Sequence, residues 1–297
     1  METPTAMKRL RTAWEVLRSA IKEARDDDVA TMAQALAYAL FLAIPATALV
    51  VLGVFSLVAD PEAVTRVVDA ARDVMPAEAA TLLEDSLQRS AQSAGGGLLM
   101  TIVGFALAVW STTSAATTLM KGVTRAYDAD DERGFVRKRL VALLIVVALV
   151  VAAALVVVFL VLGPHLERWL GSALEAESVT AWAWWTLQWP ILLGGLLFAF
   201  ATVLYLGPDV EQPTWKLITP GAVAAVVIWL VASGGFAFYA ANFGSYNKSW
   251  GTLSAVVITL VWLWLTSASL LFGAEINSEA ARVAEERRKT ERPATVL

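Results

Sequence analysis

The sequence predicts an all-α fold: a polytopic membrane bundle of six transmembrane helices, with an amphipathic N-terminal helix and short amphipathic outer helices. Three observations predict it. Uncharged runs recur along the 297 residues, the clearest from Trp250 to Ala274. Hydrophobic residues make up 58% of the chain and charged residues 17%, against about half and about a quarter in soluble domains. Lysine and arginine gather in alternate connections between the apolar runs.

A run such as Trp250–Ala274 suits a bilayer, because about 20 residues rising about 1.5 Å each cover its roughly 30 Å hydrocarbon core. The mean hydropathy of +0.62 exceeds what a soluble core consumes. A formal charge of -4, without a basic domain, argues against nucleic acid as a partner. The chain has no cysteine, which excludes disulfides and thiolate metal sites, and one histidine, His165, cannot by itself hold zinc. No metal, no cofactor and no catalytic group is expected. The first apolar run begins only near residue 33, the wrong layout for a cleaved signal peptide.

Taken in order, Met7, Leu10, Trp14, Leu17, Ile21 and Ala24 alternate at three and four residues, which places them on one helix face. Lys8, Arg9, Arg11, Arg18, Lys22 and Arg25 fill the other positions. Residues 1–28 therefore form an amphipathic helix that either lies in the headgroup layer or packs on the ends of the spans. Asp26-Asp27-Asp28 closes it and offers a cap to the next helix.

Six spans follow at about 35–59, 98–119, 140–163, 181–206, 217–241 and 251–274. Tryptophans 182, 184, 185 and 189 crowd the start of the fourth, as in an interfacial aromatic belt. Between the first two spans, the cap segment 60–97 carries two amphipathic stretches, 61–74 and 76–92. These stretches shield the loops or gate a cavity. Residues 1–280 read as a single membrane domain, followed by a charged tail at 281–297.

Basic residues set the orientation. Six lie in the N-terminal segment, six in the link between spans two and three, and five in the tail. The third and fifth connections have one each, and the first has three arginines against seven acids. An even number of crossings then puts both termini in the cytoplasm.

Polar groups and helix breakers at membrane depth need a reason. Pro45 falls in the middle of the first span, and Pro190 with Gly194-Gly195 in the fourth. Pro220-Gly221 reads as the first turn of span five, where proline is tolerated. The hydroxyl-rich stretch Ser111–Thr118 can bond back to its own helix, so it is weak evidence for a pore. Glu275 ends the sixth span, where the helix dipole disfavours an anion. It is expected either to take a basic partner from Lys121, Arg125 or Arg137, or to snorkel unpaired to the headgroups.

The run from Thr214 to Asn277 carries Trp215-Lys216, Pro220-Gly221-Ala222, Trp229, Phe238-Tyr239, Tyr246, Trp250-Gly251, Trp262-Leu263-Trp264 and Phe272-Gly273-Ala274-Glu275-Ile276-Asn277. Upstream stand Ala35-Leu36-Ala37-Tyr38 with Pro45, then Ala126-Tyr127, Glu132-Arg133 and Phe135. Together these resemble the YihY/BrkB family of bacterial inner-membrane proteins over about residues 30–280. Two departures stand out. Gly207-Pro208-Asp209 replaces the family's Pro-Asn pair, and Trp250-Gly251 replaces its Tyr-Gly.

The resemblance implies a six-span inner-membrane protein with both ends cytoplasmic. Family members carry labels ranging from ribonuclease BN-like to virulence factor, transporter and lipid-export participant. Nuclease chemistry wants grouped metal ligands or a paired acid and base, which these residues lack. The expected function is a transporter or flippase-like protein for an amphipathic lipid or small solute; the alternative is a membrane scaffold or envelope-integrity factor that does not transport. The expected binding residues are Gln34, Tyr38, Arg125, Tyr127, Arg133, Tyr239, Asn242, Tyr246 and Glu275. Membrane lipids, anionic ones among them, are the expected partners, and a homo-oligomer stays open. No nucleotide-binding motif of the form GxxxxGK[ST] occurs.

Overall fold

The computed structural model describes residues 4–58, 96–173, 177–210, 216–242 and 252–291, and the regular structure among them is helical. The helices are α1 (Pro4–Asp26), α2 (Val29–Val58), α3 (Gly96–Arg125), α4 (Phe135–Ala173), α5 (Glu177–Leu206), α6 (Pro220–Asn242) and α7 (Thr252–Glu291). Four stretches of the described residues are long and apolar enough to cross a membrane: Ile102–Arg125, Ser178–Leu206, Pro220–Tyr239 and Val256–Arg287. A fifth is added if the bent pair Arg11–Asp26 and Val29–Ile44 counts as one span. The expected outer cap helices and Tyr246 lie outside the described residues.

The fold divides into two units. The larger holds Met1–Ala37 and Ala116–Leu297, in which α6 packs on α7, α4 on α5, α5 on α6 and α1 on α7. Its core alternates large side chains, Leu36, Met120, Ile145, Leu204 and Leu271, with alanines 33, 116, 142, 201, 222, 225 and 274. Small residues let helix backbones approach closely, which matters where lipid supplies no hydrophobic drive between helices. Val231, Phe238, Trp182 and Trp185 face outward, an apolar surface that bilayer contact explains.

The smaller unit, Tyr38–Ala115, holds the distal parts of α2 and α3. Here the Thr112 and Thr113 hydroxyls donate to the carbonyls of Ala108 and Val109. Ser267 and Ser269 of α7 do the same toward Leu263 and Leu265. Such hydroxyls satisfy themselves on their own helices, so their presence needs no pore to explain it.

Two expectations need correction and a third is resolved in part. Pro45 was expected to interrupt the first span, yet α2 is helical from Val29 to Val58, just as α5 runs through Pro190. A proline in a membrane helix removes one backbone bond, and its neighbours carry the helix on. The last helix does not stop near Ala274 but continues to Glu291. Alanine, glutamate, arginine and lysine there are good helix formers, and the pairs Arg282–Glu279 (2.6 Å) and Glu285–Lys289 (2.7 Å) brace the turns. Finally, α1 docks on α7 through Val16, Ala20 and Leu17, which meet Ile276, Ala280 and Val283. Of the two alternatives for the apolar face, packing holds for Val16, Leu17 and Ala20, while Trp14 and Ile21 of the same helix are exposed.

Two left-handed residues shape the charged end of the larger unit. Asp28 (φ 57°) closes α1, and its carbonyl accepts from Thr31 and Met32, so one residue ends a helix and begins the next. The chain bends by 68° there. Asp128 (φ 50°) ends α3: Asp128 N–H donates to the Arg125 carbonyl and Ala129 N–H to that of Thr124. This is a Schellman cap, with aspartate in the place usually taken by glycine.

Candidate functional site

The loop after that cap carries charges that α5 needs. A helix leaves its last carbonyls unpaired and carries partial negative charge at that end. Arg133 supplies both a cation and donors: its Nη2 donates to the Gly207 carbonyl at 2.7 Å and its Nη1 to that of Leu206 at 3.4 Å. Its Nε donates to Asp131 at 2.9 Å, and Asp209 lies 3.6 Å away. Lys138 reaches the other Asp131 oxygen at 3.0 Å.

Burial alone would raise the pKa of Asp131, but the hydrogen bonds from Arg133 and Lys138, with the Arg133 charge, outweigh it and hold the carboxyl below its usual value. The Glu132 N–H donates to Asp209 and the Asp209 N–H to the Thr124 hydroxyl. The loop is thereby tied to both α3 and the end of α5. Asp209, where the chain departs from the family pattern, is a member of this clamp.

A second polar knot starts α6. Thr219 caps the helix by accepting from Ala222 N–H at 3.1 Å, and Pro220 takes the first turn, where no N–H is needed. Asn277 of α7 completes the cap. Its Oδ1 accepts from Gly221 N–H at 2.7 Å, and its Nδ2 donates to Thr219 at 3.1 Å. Tyr127 is hydrogen-bonded to the same amide, and burial pushes its phenol up to about 12 against the opposing effect of that bond. The Trp229 indole donates to Thr266 and packs edge-on against Trp262, which fixes α6 on α7 one layer deeper.

Between the two left-handed turns lies a cavity of about 520 Å³, lined by Asp27, Met32, Lys121, Thr124, Arg125 and residues 128–131. Arg125 pairs with Asp27 across it at 3.3 Å. Four aspartates against Lys121 and Arg125 give the cup a net negative lining.

The expected site residues scatter over this frame. Arg125 is at the cup, Arg133 in the α5 clamp with a side chain only 5% exposed, and Tyr127 at the α6 knot. Gln34 and Tyr38 lie on exposed positions of α2, and Tyr239 is exposed on α6. Asn242 ends α6.

Glu275 is 1% exposed, and its Oε1 has no hydrogen-bond partner. This corrects both expectations for it, the cation partner and the snorkelling side chain. Arg125 is engaged by Asp27, Lys121 and Arg137 are exposed, and the charges that act on Glu275 are acidic: Asp27, Glu23, Asp128 and Glu279. Close packing of α6 and α7, with α1 against the same stretch of α7, leaves no room for it to reach solvent.

Asp27, Thr124, Asp131, Asp209, Thr219 and Asn277 are the polar residues that sequence reasoning missed. Asn277 stood in the family-like run, and Thr219-Pro220 had the local form of a helix cap. The other four become visible only when distant segments meet.

Comparison with known proteins agrees with this architecture. The ribonuclease-like protein YfkH of Bacillus subtilis is 24% identical over 203 residues, spanning 68% of this chain and 73% of that protein. A UPF0761 membrane protein of Tolumonas auensis is 31% identical over 118 residues, 36% of this chain and 39% of the relative. One from Xanthomonas axonopodis is 30% identical over 124 residues, with 37% and 29% covered. The chain thus spans well under half the length of these two UPF0761 relatives. No solved structure matches. The family model described as Virulence factor BrkB matches residues 20–296, and the chain belongs to this family of integral membrane proteins.

Proposed function

We propose that the protein is a transporter or flippase-like protein of the bacterial inner membrane, with both termini cytoplasmic, that handles an amphipathic lipid or small solute without enzymatic chemistry. The observation that carries this is the 520 Å³ cup beside the ends of α1 and α3. Its size suits a headgroup or small polar solute, since ligand sites run from about 300 to 1,000 Å³. Its net negative lining favours a cationic or zwitterionic group over an anionic one. The anion-binding arginines expected from sequence are otherwise engaged, Arg125 with Asp27 and Arg133 with Asp131.

The test is reconstitution in liposomes with fluorescent lipid analogues bearing zwitterionic or anionic headgroups. Wild type is expected to move the zwitterionic probe faster than empty vesicles do, and an Asp128→Asn, Asp130→Asn variant to move it more slowly. Rates equal to those of empty vesicles would sink the transport assignment for these lipids.

A second assignment, a scaffold or envelope-integrity factor that does not transport, draws on a different observation. The threonines and serines of α3 and α7 described above satisfy themselves on their own helices, and Arg133 is used up in capping α5. Such a protein would show no transfer, yet would still bind lipid or a partner protein.

A further inference from the structure

Among the described side chains, the docking of α1 on α7 covers only part of the α1 apolar surface. Val16, Ala20 and Leu17 are covered by α7, whereas Trp14 is 66% and Ile21 41% exposed. The uncovered part has a regular composition. Positions 11, 14, 18, 21 and 25 alternate at three and four residues, so Arg11, Trp14, Arg18, Ile21 and Arg25 form one line along the helix. All five are exposed. Among the described residues, none of the three arginines forms an ion pair, although Lys22 beside them pairs with Asp26 at 3.5 Å. The acidic Glu15, Glu23 and Asp26 lie off this line.

We propose that this line of α1 is a docking surface for the anionic headgroups of the membrane leaflet on its own side. A plane where phosphates meet acyl chains calls for cations and an amphipathic ring side by side, at about one helical turn. Unpaired arginines complement the negative surface potential of such a leaflet. α1 leaves the apolar helix α2 through a 68° bend, so the line does not continue down α2. An acidic protein partner would satisfy the arginines but would not call for the exposed indole between them. This surface is separate from the acidic cup and does not depend on the transport assignment.

The chain has no native cysteine, so a single label is clean. The full-length Trp14→Cys protein, carrying an environment-sensitive dye, is reconstituted in phosphatidylcholine alone or mixed with phosphatidylglycerol. Expected are a blue-shifted emission and quenching by acyl-chain spin-labelled lipid that strengthen with phosphatidylglycerol and weaken in high salt. Adding Arg18→Gln or Arg25→Gln should each weaken the anionic-lipid dependence by about fivefold, with thermal stability unchanged. A dye that stays open to aqueous iodide in both lipids would overturn the proposal. So would a blue shift that follows protein density and not lipid charge, since that would assign the surface to a second protein.

Discussion

A Cβ built on Gly221 would run into the carbonyl oxygen of Gly273, and one on Gly273 would sit 2.7 Å from Cβ of Ala225. The two glycines face each other where α6 crosses α7, so neither helix tolerates a side chain there. Gly234 and Gly235, on the same helix as Gly221, have nothing within 4 Å. Gly221→Ala is therefore expected to destabilise the protein by about 1–3 kcal/mol or more through overpacking. Gly235→Ala should be neutral or stabilise it by about 0.5–1 kcal/mol. Thermal unfolding in detergent checks both.

Asn277 links three groups: the Gly221 N–H, Thr219 and Tyr127. Asn277→Leu strands at least one donor and should cost about 1–3 kcal/mol. Thr219→Ala, which removes the helix cap and the acceptor of Asn277 Nδ2, should cost about 1 kcal/mol. The double variant should cost less than the two combined, because the residues share a hydrogen bond. Strict additivity in a double-mutant cycle would show that the knot is not cooperative.

Tyr127 gives the protein an alkaline limit. Its folded pKa, about 12, lies above the ordinary 10.0. The folded state therefore holds the proton longer, and the tyrosine's contribution is intact below pH 10 and is lost as pH rises toward 12. Tyr127→Phe should flatten the decline of melting temperature in that window. It should lower stability at neutral pH by about 1 kcal/mol for the lost bond.

Asp131 sets the opposite limit. Its pKa is held low despite burial, so its pairing with Arg133 and Lys138 stabilises the fold above the usual carboxylate range and is lost as pH falls below it. Asp131→Asn should be less stable at pH 7 and lose the acid-side drop. Arg133→Lys should also destabilise, since a single ammonium cannot reach Asp131 and both carbonyls at the end of α5 at once. A variant as stable as wild type across pH 3–7 would contradict the clamp.

How much of this was legible depended on range. The long uncharged runs gave the helices, and Pro220-Gly221 marked the start of α6, because hydropathy and the tolerance of proline in a first turn are local. The end of α7 was misplaced because hydropathy stops at Ala274, while helix formation rests on propensity that continues past it. Periodicity found the amphipathic character of α1 but not which half of its apolar side meets protein, since Val16 and Ala20 count as core only once α7 is beside them. Arg133 belonged to a recognisable run, yet its acceptors lie more than 70 residues away on α5. Glu275 escaped because the repulsion it feels comes from four acids on three segments, a fact that no spacing encodes.

Because α7 stays helical for 40 residues, it is a rod about 60 Å long, twice the roughly 30 Å oil layer it crosses. Its distal end is gripped by α1, with Thr12 hydrogen-bonded to Arg287. Any tilt of the buried half is therefore carried into α1, because the two helices are joined along this seam.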